Sequence, residues 1–336
     1  MKRILAYLML TALLAVCGCA PVQPSESTDD IQVALAMGSM DHPVHRIVRY
    51  GFLRGTEDAK VAGQVVGLNE GSTPELKEKF TTAITQNGVD GMLLWAADDT
   101  FYQFMRDMVR DYGTVFVVPH FAHEYVDTKD FIAANLHDWR KERGEQIADR
   151  VAELLHEKGI TQGAIACTLT GAGGLDHAVA DGFYRRMAQI APQFRQINYI
   201  FEGLEVSEAT NKIKTLIWEN PDVVAAYGTS VYSAQSWTNA MQETGRTDLV
   251  VAASEYIEDN LERLTDGSIS LLSCTPFYEE AYDSVGVVLD ILNGKSYNTD
   301  KESWNIVHDA VVLDRQSDLT VYRDRITGIN EMFAVE

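Results

Sequence analysis

Short apolar runs alternate along this chain with longer segments in which apolar residues recur every three or four positions. The short runs are typical of buried strands, and the recurring spacing is typical of amphipathic helices. The first pair consists of the run Ile31 to Met37, which Gly38 ends, and a helical pattern that begins after Pro43. Proline fits the first helical turn because it has no N–H to lose there, and Asp41 is placed to cap the helix.

The same alternation continues through most of the sequence. Further strand-like runs are predicted at 64–68, 91–95, 115–118, 131–135, 164–169, 197–201, 223–227 and 249–253. Helical patterns are predicted at 73–87, 101–110, 139–158, 175–190, 207–220 and 230–245. The repeated β–α order predicts parallel sheets covered by helices on both faces, and a second series from residue 131 predicts a second domain of similar build.

Two of these predicted elements carry polar residues at their ends. Asp138 precedes the helix predicted at 139–158 and is its expected cap. The loop after the first strand contains Ser39, Asp41 and His42, and it lies at the carboxyl end of a strand. Ligands bind at that end of open α/β sheets, and a cleft between two domains commonly holds a small ligand, so this loop is a candidate binding site.

Composition and charge exclude some classes of function. The 336 residues are 46% hydrophobic and 23% charged, which is ordinary for a globular protein long enough to form two cores. Lys and Arg number 28 against 49 Asp and Glu, which gives a formal charge of -21, and no basic cluster stands out. Binding to nucleic acid is not expected, because contacts to phosphate depend on clustered Lys and Arg.

The first 18 residues have the composition of an export signal. Lys2 and Arg3 precede an apolar segment that is too short to span a bilayer, which takes about 20 residues. The segment ends in the sequence VCGC and resembles the lipobox of bacterial lipoproteins, in which the cysteine after the cleavage site, here Cys19, is lipidated. Residues 19–30 would then form a tether to a bacterial membrane, facing the periplasm or the cell exterior. Ordinary signal cleavage nearby is the alternative.

Cys167 and Cys274 are the cysteines left for the folded part, and each lies in an apolar, strand-like run. An oxidising compartment would permit a bridge between them. We predict two buried free thiols, because an unpaired cysteine inside an apolar run behaves as a small hydrophobic residue.

Several phrases of the sequence also occur, in this order, in one known family. They are GSMDHPVHR (38–46), NGVDGMLLWAADD (87–99), DGF (181–183), ENPDVVAAYGTS (219–230), DNLERLTDGSI (259–269) and TPFYEEAYDSVGVVLDILNGK (275–295). The chain from Ile31 to Leu313 thereby resembles the periplasmic substrate-binding proteins of the ribose and galactose type, which supply ABC transporters.

The resemblance implies a type I periplasmic binding protein fold, an α/β structure of two doubly wound parallel-sheet lobes joined by a hinge of three chain crossings near Asn135, Thr275 and 297–303. The implied division is 31–134 with 276–300 for the first lobe and 135–275 with 301–316 for the second, followed by a C-terminal extension, 317–336. The implied protein is a monomer that captures a small polar ligand, a sugar or related polyol, and delivers it to an ABC transporter permease. A sensory receptor of the same fold, which signals to a kinase or a chemoreceptor, is the alternative.

The resemblance also implies positions for the ligand site. His42 and Pro43 match the polar residue and the proline of the family's first loop, while Val44 and His45 replace its aromatic rings. The polar residues that hold the sugar in that family, called here the polar clamp, correspond to His120, His177, Ser230, Glu255 and Thr275. Trp95 is among the aromatic residues that could stack on a ligand. Because the clamp's Arg and one Asp are replaced, the resemblance favours neutral polyols, altered sugars or small cations over anionic ligands.

Loop histidines and a glycine-rich turn are the features of this sequence that bear on metal binding and catalysis. His42 with His45, and His120 with His123, are two pairs at a spacing of three that could bind zinc, which leaves a metal-binding protein as a further alternative. Neutral hydrogen bonding by these side chains is the preferred interpretation. The glycine-rich stretch 171–174 is not a dinucleotide fingerprint, since Asp176 stands where the third glycine is needed. No nucleophile elbow, phosphate loop or zinc-protease motif occurs in the sequence, so no enzymatic activity and no cofactor are predicted.

Overall fold

A computed structural model describes residues 31–38, 40, 42–67, 73–95, 99–121, 125–171 and 175–334. The expected signal and tether with Cys19, and the candidate residues Ser39, Asp41 and His123, lie outside the described residues. Within these ranges, no helix is both long and apolar enough to cross a membrane.

The first sheet is built from parallel strands drawn from both ends of the chain. These strands are β1 (Gln32–Met37), β2 (Ala62–Gly67), β3 (Gly91–Trp95), β4 (Val115–Pro119), β5 (Ala134–His137) and β12 (Asn305–Val307). They lie side by side in the order β12-β5-β4-β3-β1-β2. The order reverses at β1, which lies between β2 and β3, so the carboxyl ends of β1 and β3 form the switch point of this sheet.

The second sheet repeats this arrangement. Its strands are β6 (Gly163–Leu169), β7 (Phe194–Gln196), β8 (Ile200–Phe201), β9 (Val223–Gly228), β10 (Val250–Ser254), β11 (Leu271–Cys274) and β13 (Val311–Asp314). The order is β13-β11-β10-β9-β6-β7, with β8 also paired to β6. The edge strand β13 runs antiparallel to β11, and the switch point lies between β6 and β9.

Helices cover both sheets and bury one apolar stripe each. The helices are α1 (Pro43–Ala59), α2 (Thr73–Thr85), α3 (Asp99–Tyr112), α4 (Tyr125–Thr128), α5 (Arg140–Glu157), α6 (Leu175–Ile190), α7 (Val206–Glu219), α8 (Ser233–Thr244), α9 (Glu258–Asp266), α10 (Phe277–Leu292), α11 (Lys301–Trp304) and α12 (Thr320–Met332). The contact between α1 and α10 is especially close. A Cβ atom on Gly51 would lie 2.5 Å from the carbonyl oxygen of Tyr278, so only glycine lets the two backbones approach this far.

The predicted fold class of two parallel-sheet α/β lobes is confirmed. Two of the expected lobe boundaries differ from the structure. Residues 135–137 belong to β5 and pair with β4, so the chain leaves the first sheet after His137 rather than at 134. Residues 305–307 form β12 and pair with β5, so the last passage to the second sheet follows Val307 rather than residue 300. In both cases the residues in question pair with each other, β5 with β12, at one edge of the first sheet.

Three local predictions differ from the structure. The expected cap of α5 is wrong, since the cap position is Trp139 without a side-chain hydrogen bond, and Asp138 instead lies 3.0 Å from Nε of the buried Arg143. At α1 the capping side chain is that of His42, whose Nδ1 accepts a hydrogen bond of 3.3 Å from the Val44 N–H. The strand predicted at 197–201 is interrupted and contributes only β8.

The prediction for the cysteines is confirmed. Cys167 in β6 and Cys274 in β11 are both free and buried. Burial raises the pKa of both thiols well above the ordinary value, so they remain protonated and unreactive.

The cleft between the lobes as candidate binding site

A cavity of about 470 Å³ lies where the carboxyl ends of the two sheets face each other. From the first lobe it is lined by His42, Val44, His45, Trp95, His120, Phe121 and Phe277. From the second lobe it is lined by Thr170, Gly171, Leu175, Asp176, Leu204, Thr229, Ser230, Val231 and Glu255. The first wall is therefore mainly aromatic and the second carries most of the hydrogen-bonding groups.

The aromatic wall is centred on Trp95 at the end of β3. The indole stacks on the ring of His120, with centroids 4.9 Å apart and planes inclined by 19°. Phe277 meets it edge to face at 5.5 Å, and His45 at 5.9 Å. Because Trp95 is only 5% exposed, its indole ring supports this wall and does not offer an open stacking face.

His42 and Tyr232 bring the two lobes together at one side of the cleft. Their ring centroids lie 6.1 Å apart in an edge-to-face arrangement, and His42 also lies 5.2 Å from the ring of His45. Burial, with a smaller contribution from His45, lowers the pKa of His42 to about 4. The imidazole is therefore neutral near pH 7, with Nδ1 accepting from the helix and Nε2 left as a possible donor.

The opposite wall contains a buried chain of hydroxyl and carboxyl groups. Ser230 Oγ accepts a hydrogen bond of 3.2 Å from the N–H of Tyr232, and Ser233 Oγ donates to Glu202 Oε1. Glu202 is 1% exposed, and burial raises the pKa of its carboxyl to about 7. This carboxyl holds the loop after β9 in position from behind the cleft surface.

Glu255 is the carboxyl group of this wall that lies at the cleft floor. Its backbone has φ of 73°, an unusual conformation for a residue other than glycine, and its N–H donates to the Ser273 carbonyl at 2.7 Å. Thr275 donates to both carboxyl oxygens, through Oγ1 at 2.7 Å and through its N–H at 3.3 Å. Burial raises the pKa of Glu255 to about 7, although Arg143 and Thr275 oppose this effect.

A buried charge network joins the lobes beneath the cavity. Arg143 on α5 donates to the hydroxyl of Thr275 and lies 3.8 Å from Glu255 Oε1. Arg140 donates at 2.5 Å to the carbonyl of His120. These arginines come from the second lobe, whereas His120 belongs to the first, so the network lies across the hinge.

The same network bears on the metal-binding alternative. His120, Asp138 and Glu280 offer three ligand atoms within 4.8 Å of one another, all buried. The guanidinium of Arg143 lies 3.0 Å from Asp138, and Arg140 is bonded to His120, so two positive charges already occupy this region. Their charge favours a hydrogen-bonded ion network over a bound cation. The predicted partners His42 and His45 do not join this group.

The structure brings most of the predicted and described site residues together. His42, His45, Trp95, His120, Ser230 and Glu255 line the cleft. Thr275 lies behind Glu255 and is 1% exposed. His177 is not in the lining, because its ring packs on Tyr199 at 5.5 Å and on Phe201 at 5.9 Å. From the same helix, Leu175 and Asp176 reach the cleft instead.

Sequence reasoning missed the charged residues beneath the cavity. Arg143 precedes Ile147 and Val151 by four and eight positions, so it lies on the buried stripe of α5. Glu280 likewise precedes the buried residues Ser284 and Val288 by four and eight positions in α10. A charged residue on an apolar stripe is a signal that could have identified both.

Comparisons with solved structures agree with this architecture. A glucose-galactose binding protein from Geobacillus stearothermophilus is 16% identical, with a TM-score of 0.70, over 85% of this chain and 98% of its own. A solute-binding protein from Actinobacillus succinogenes with bound D-allose is also 16% identical, with a TM-score of 0.73 over 85% and 98%. One from Agrobacterium vitis with bound α-D-tagatopyranose is 18% identical, with a TM-score of 0.72 over 87% and 98%. At these identities the likeness shows a shared fold.

Sequence comparison identifies the family directly. No curated protein matches the chain at a significant level. The family model described as the periplasmic binding protein domain matches residues 33–296, which is most of the chain and includes nearly all elements that form the cleft. The chain is therefore a member of the periplasmic binding protein family.

Proposed function

We propose that this protein captures a neutral sugar or sugar-like polyol in the cleft and presents it to the permease of an ABC importer. One observation carries this proposal: an aromatic wall around Trp95 faces a hydrogen-bonding wall around Ser230 and Glu255 across a cavity of about 470 Å³. A sugar ring has apolar C–H faces and a rim of hydroxyl groups, and two such walls are complementary to it. The sugars bound by the similar solved structures support the same class of ligand.

The charges at the cleft favour a neutral ligand. His42 is neutral near pH 7 and so supplies no positive charge, and Glu255, with a pKa of about 7, is ionised in part and adds negative charge. Asp176 adds a carboxyl group to the lining, and the whole chain carries a formal charge of -21. Phosphorylated or carboxylated sugars would meet repulsion from these groups. Ligand hydroxyls can instead donate to Glu255 and accept from His42.

The wider biological setting is also part of the proposal. The family consists of exported solute-binding proteins, and no bond of the ligand is made or broken in such a cleft. We infer that Cys19 is lipidated and that the mature protein acts as a membrane-tethered monomer. The lipobox-like VCGC sequence and the polar stretch up to Asp30 support this inference.

A thermal-shift screen at pH 7 tests the ligand class. It compares D-allose, D-tagatose, D-arabinose and D-galactose with ribitol, a sugar acid and a sugar phosphate. A ligand at 100 times its dissociation constant adds about 2.7 kcal/mol to the free energy of unfolding, which is readily measured. Neutral compounds should raise the melting temperature, and Glu255→Gln should weaken the effect while His177→Ala leaves it unchanged. Stabilisation by anionic compounds alone would refute the proposal.

A further inference from the structure

The C-terminal helix α12 contacts both lobes. It follows β13, so the chain enters it from the second sheet. It then packs against α1 of the first lobe. This helix lies in the expected C-terminal extension, beyond the residues 33–296 that the family model matches. It therefore forms a connection between the lobes in addition to the three chain crossings.

The contacts of α12 with the first lobe are close and varied. Arg325 forms an ion pair of 2.7 Å with Glu279 at the start of α10, and its guanidinium lies 4.1 Å from the ring centroid of Tyr278. A Cβ atom on Gly328 would lie 2.1 Å from the hydroxyl oxygen of Tyr50, so this face of the helix lies directly on α1. Just beyond the helix, the ring of Phe333 lies 4.2 Å from the guanidinium carbon of Arg49.

The contacts with the second lobe reach the cleft loop itself. The ring of Tyr322 meets that of Tyr256 edge to face at 4.9 Å. Tyr256 directly follows Glu255, the carboxyl group at the cleft floor, and both belong to the loop between β10 and α9. Arg323 donates to Thr265 Oγ1 at 3.1 Å and so ties α12 to α9 of the same lobe.

These contacts give α12 a mechanical role. The ring of Tyr322 holds the loop that carries Glu255, while Arg325, one helical turn further, is bound to the first lobe. Moving the lobes apart would separate Arg325 from Glu279, a pair in which the Arg325 side chain is only 16% exposed. Breaking a partly buried, charge-assisted contact opposes such motion.

We propose that α12 is a strap that limits the opening of the cleft, with Arg325 as the positioning residue that fastens it to the first lobe. The strap raises the population of the arrangement in which Glu255 faces the aromatic wall. Its effect on affinity rests on the proposed sugar-binding function, because a ligand binds more tightly when its competent state is more populated. Its effect on lobe opening does not depend on any ligand.

The chain offers a matched pair of variants for the test. Arg325→Gln removes the contact to the first lobe together with the interaction of this guanidinium with Tyr256, and Arg323→Gln removes a contact to the second lobe from the same helix with the same change in charge. Glu279→Gln removes the same ion pair and leaves Arg325 beside Tyr256, so it isolates the contact to the first lobe. It also replaces Arg325→Gln if that variant fails to fold. Small-angle scattering of the mature protein without sugar reports lobe opening, and calorimetry with D-allose reports affinity.

The strap predicts a larger radius of gyration for Arg325→Gln and Glu279→Gln and an unchanged one for Arg323→Gln. Where D-allose binds the wild type, its dissociation constant should rise about fivefold or more in the first two variants, which is the lower range of coupling between separate sites. An unchanged radius of gyration for Arg325→Gln, or equal effects of both arginine variants, would overturn the proposal. If no sugar binds the wild type, the proposed function fails while the scattering result still decides the strap.

Discussion

Nδ1 of His120 and Oε2 of Glu280 lie 3.2 Å apart at the floor of the cleft, where both side chains are almost completely buried. Burial lowers the pKa of His120 and raises that of Glu280, each by a large amount. These two shifts favour a hydrogen bond between neutral groups over an ion pair. The hydrogen bond joins α10 to the loop after β4 and fixes the ring on which Trp95 stacks.

Replacing Glu280 tests this assignment. Glu280→Gln keeps the size and a hydrogen-bonding group, so the free energy of unfolding should change by less than about 1 kcal/mol, whereas Glu280→Ala should cost roughly 1–3 kcal/mol. Urea denaturation of the two variants measures the difference. A loss of about 3–5 kcal/mol in Glu280→Gln would contradict the neutral pair and indicate a buried ion pair.

Glu255 should make stability depend on pH in a defined direction. Its folded pKa of about 7 exceeds the ordinary value of 4.5, so between these pH values the folded state holds more protons than the unfolded state. The free energy of unfolding should therefore fall as pH rises through this range, by about 3 kcal/mol at ~1.4 kcal/mol per pKa unit. Glu255→Gln lacks this contribution.

The comparison is made by urea unfolding of wild type and Glu255→Gln at several pH values. Glu202 and His42 titrate in both proteins, so their contributions to the free energy of unfolding cancel in the difference. The contribution of His42 rises with pH, opposite to that of Glu202, because the pKa of His42 is lowered. If the free energies of unfolding of the two proteins change with pH in the same way between pH 4.5 and about 7, the pKa of Glu255 is not raised by folding.

His42 should contribute to both stability and binding. His42→Ala removes the capping acceptor of α1 and should cost about 1 kcal/mol of stability, most of which His42→Asn should restore. The alanine variant also loses a hydrogen-bonding group of the cleft, so sugar affinity should fall about tenfold, equivalent to ~1.4 kcal/mol. Calorimetry measures the affinity, and His177→Ala is the control that should bind normally. An unchanged affinity in His42→Ala would show that His42 has no direct role in binding.

The membrane anchor is tested separately. Cys19→Ala should move the protein from the membrane fraction to the soluble fraction, because lipid chains on that residue provide the stable attachment. Cys17→Ala is the control and should remain with the membrane. Mass spectrometry identifies the mature N-terminus, and an unmodified N-terminus at any other residue would exclude this anchor.

The sequence predicted the elements of the fold well because most strands are short, buried and bounded by polar turns. The strand at 91–95 and the helix at 175–190 have the predicted limits. Residues 135–137 and 305–307 were assigned to the wrong lobe, because the pairing of β5 with β12, some 170 residues apart in the chain, leaves no local pattern.

The candidate site was predicted in part for a similar reason. The loop with His42 follows β1, so the rule for parallel sheets places it at the cleft. Trp95 ends β3, and Glu255 was assigned from the family resemblance. His177 was carried over by position along a helix, where a rotation of one residue changes the direction of a side chain by about 100°. The contacts of Arg143 with Thr275 depend on tertiary structure and could not be deduced from either segment alone.

The close contact of α10 with α1 has a consequence for the order of folding. Val285 and Val288 of α10 complete the core formed by Val33 and Leu35 of β1, which lie some 250 residues earlier in the chain. A nascent chain that ends before Phe277 therefore leaves that core uncovered, and such long-range contacts slow folding. The first lobe reaches its final state only when synthesis is nearly complete. Pulse proteolysis of a chain truncated after Pro276 should accordingly cleave the first lobe before the second.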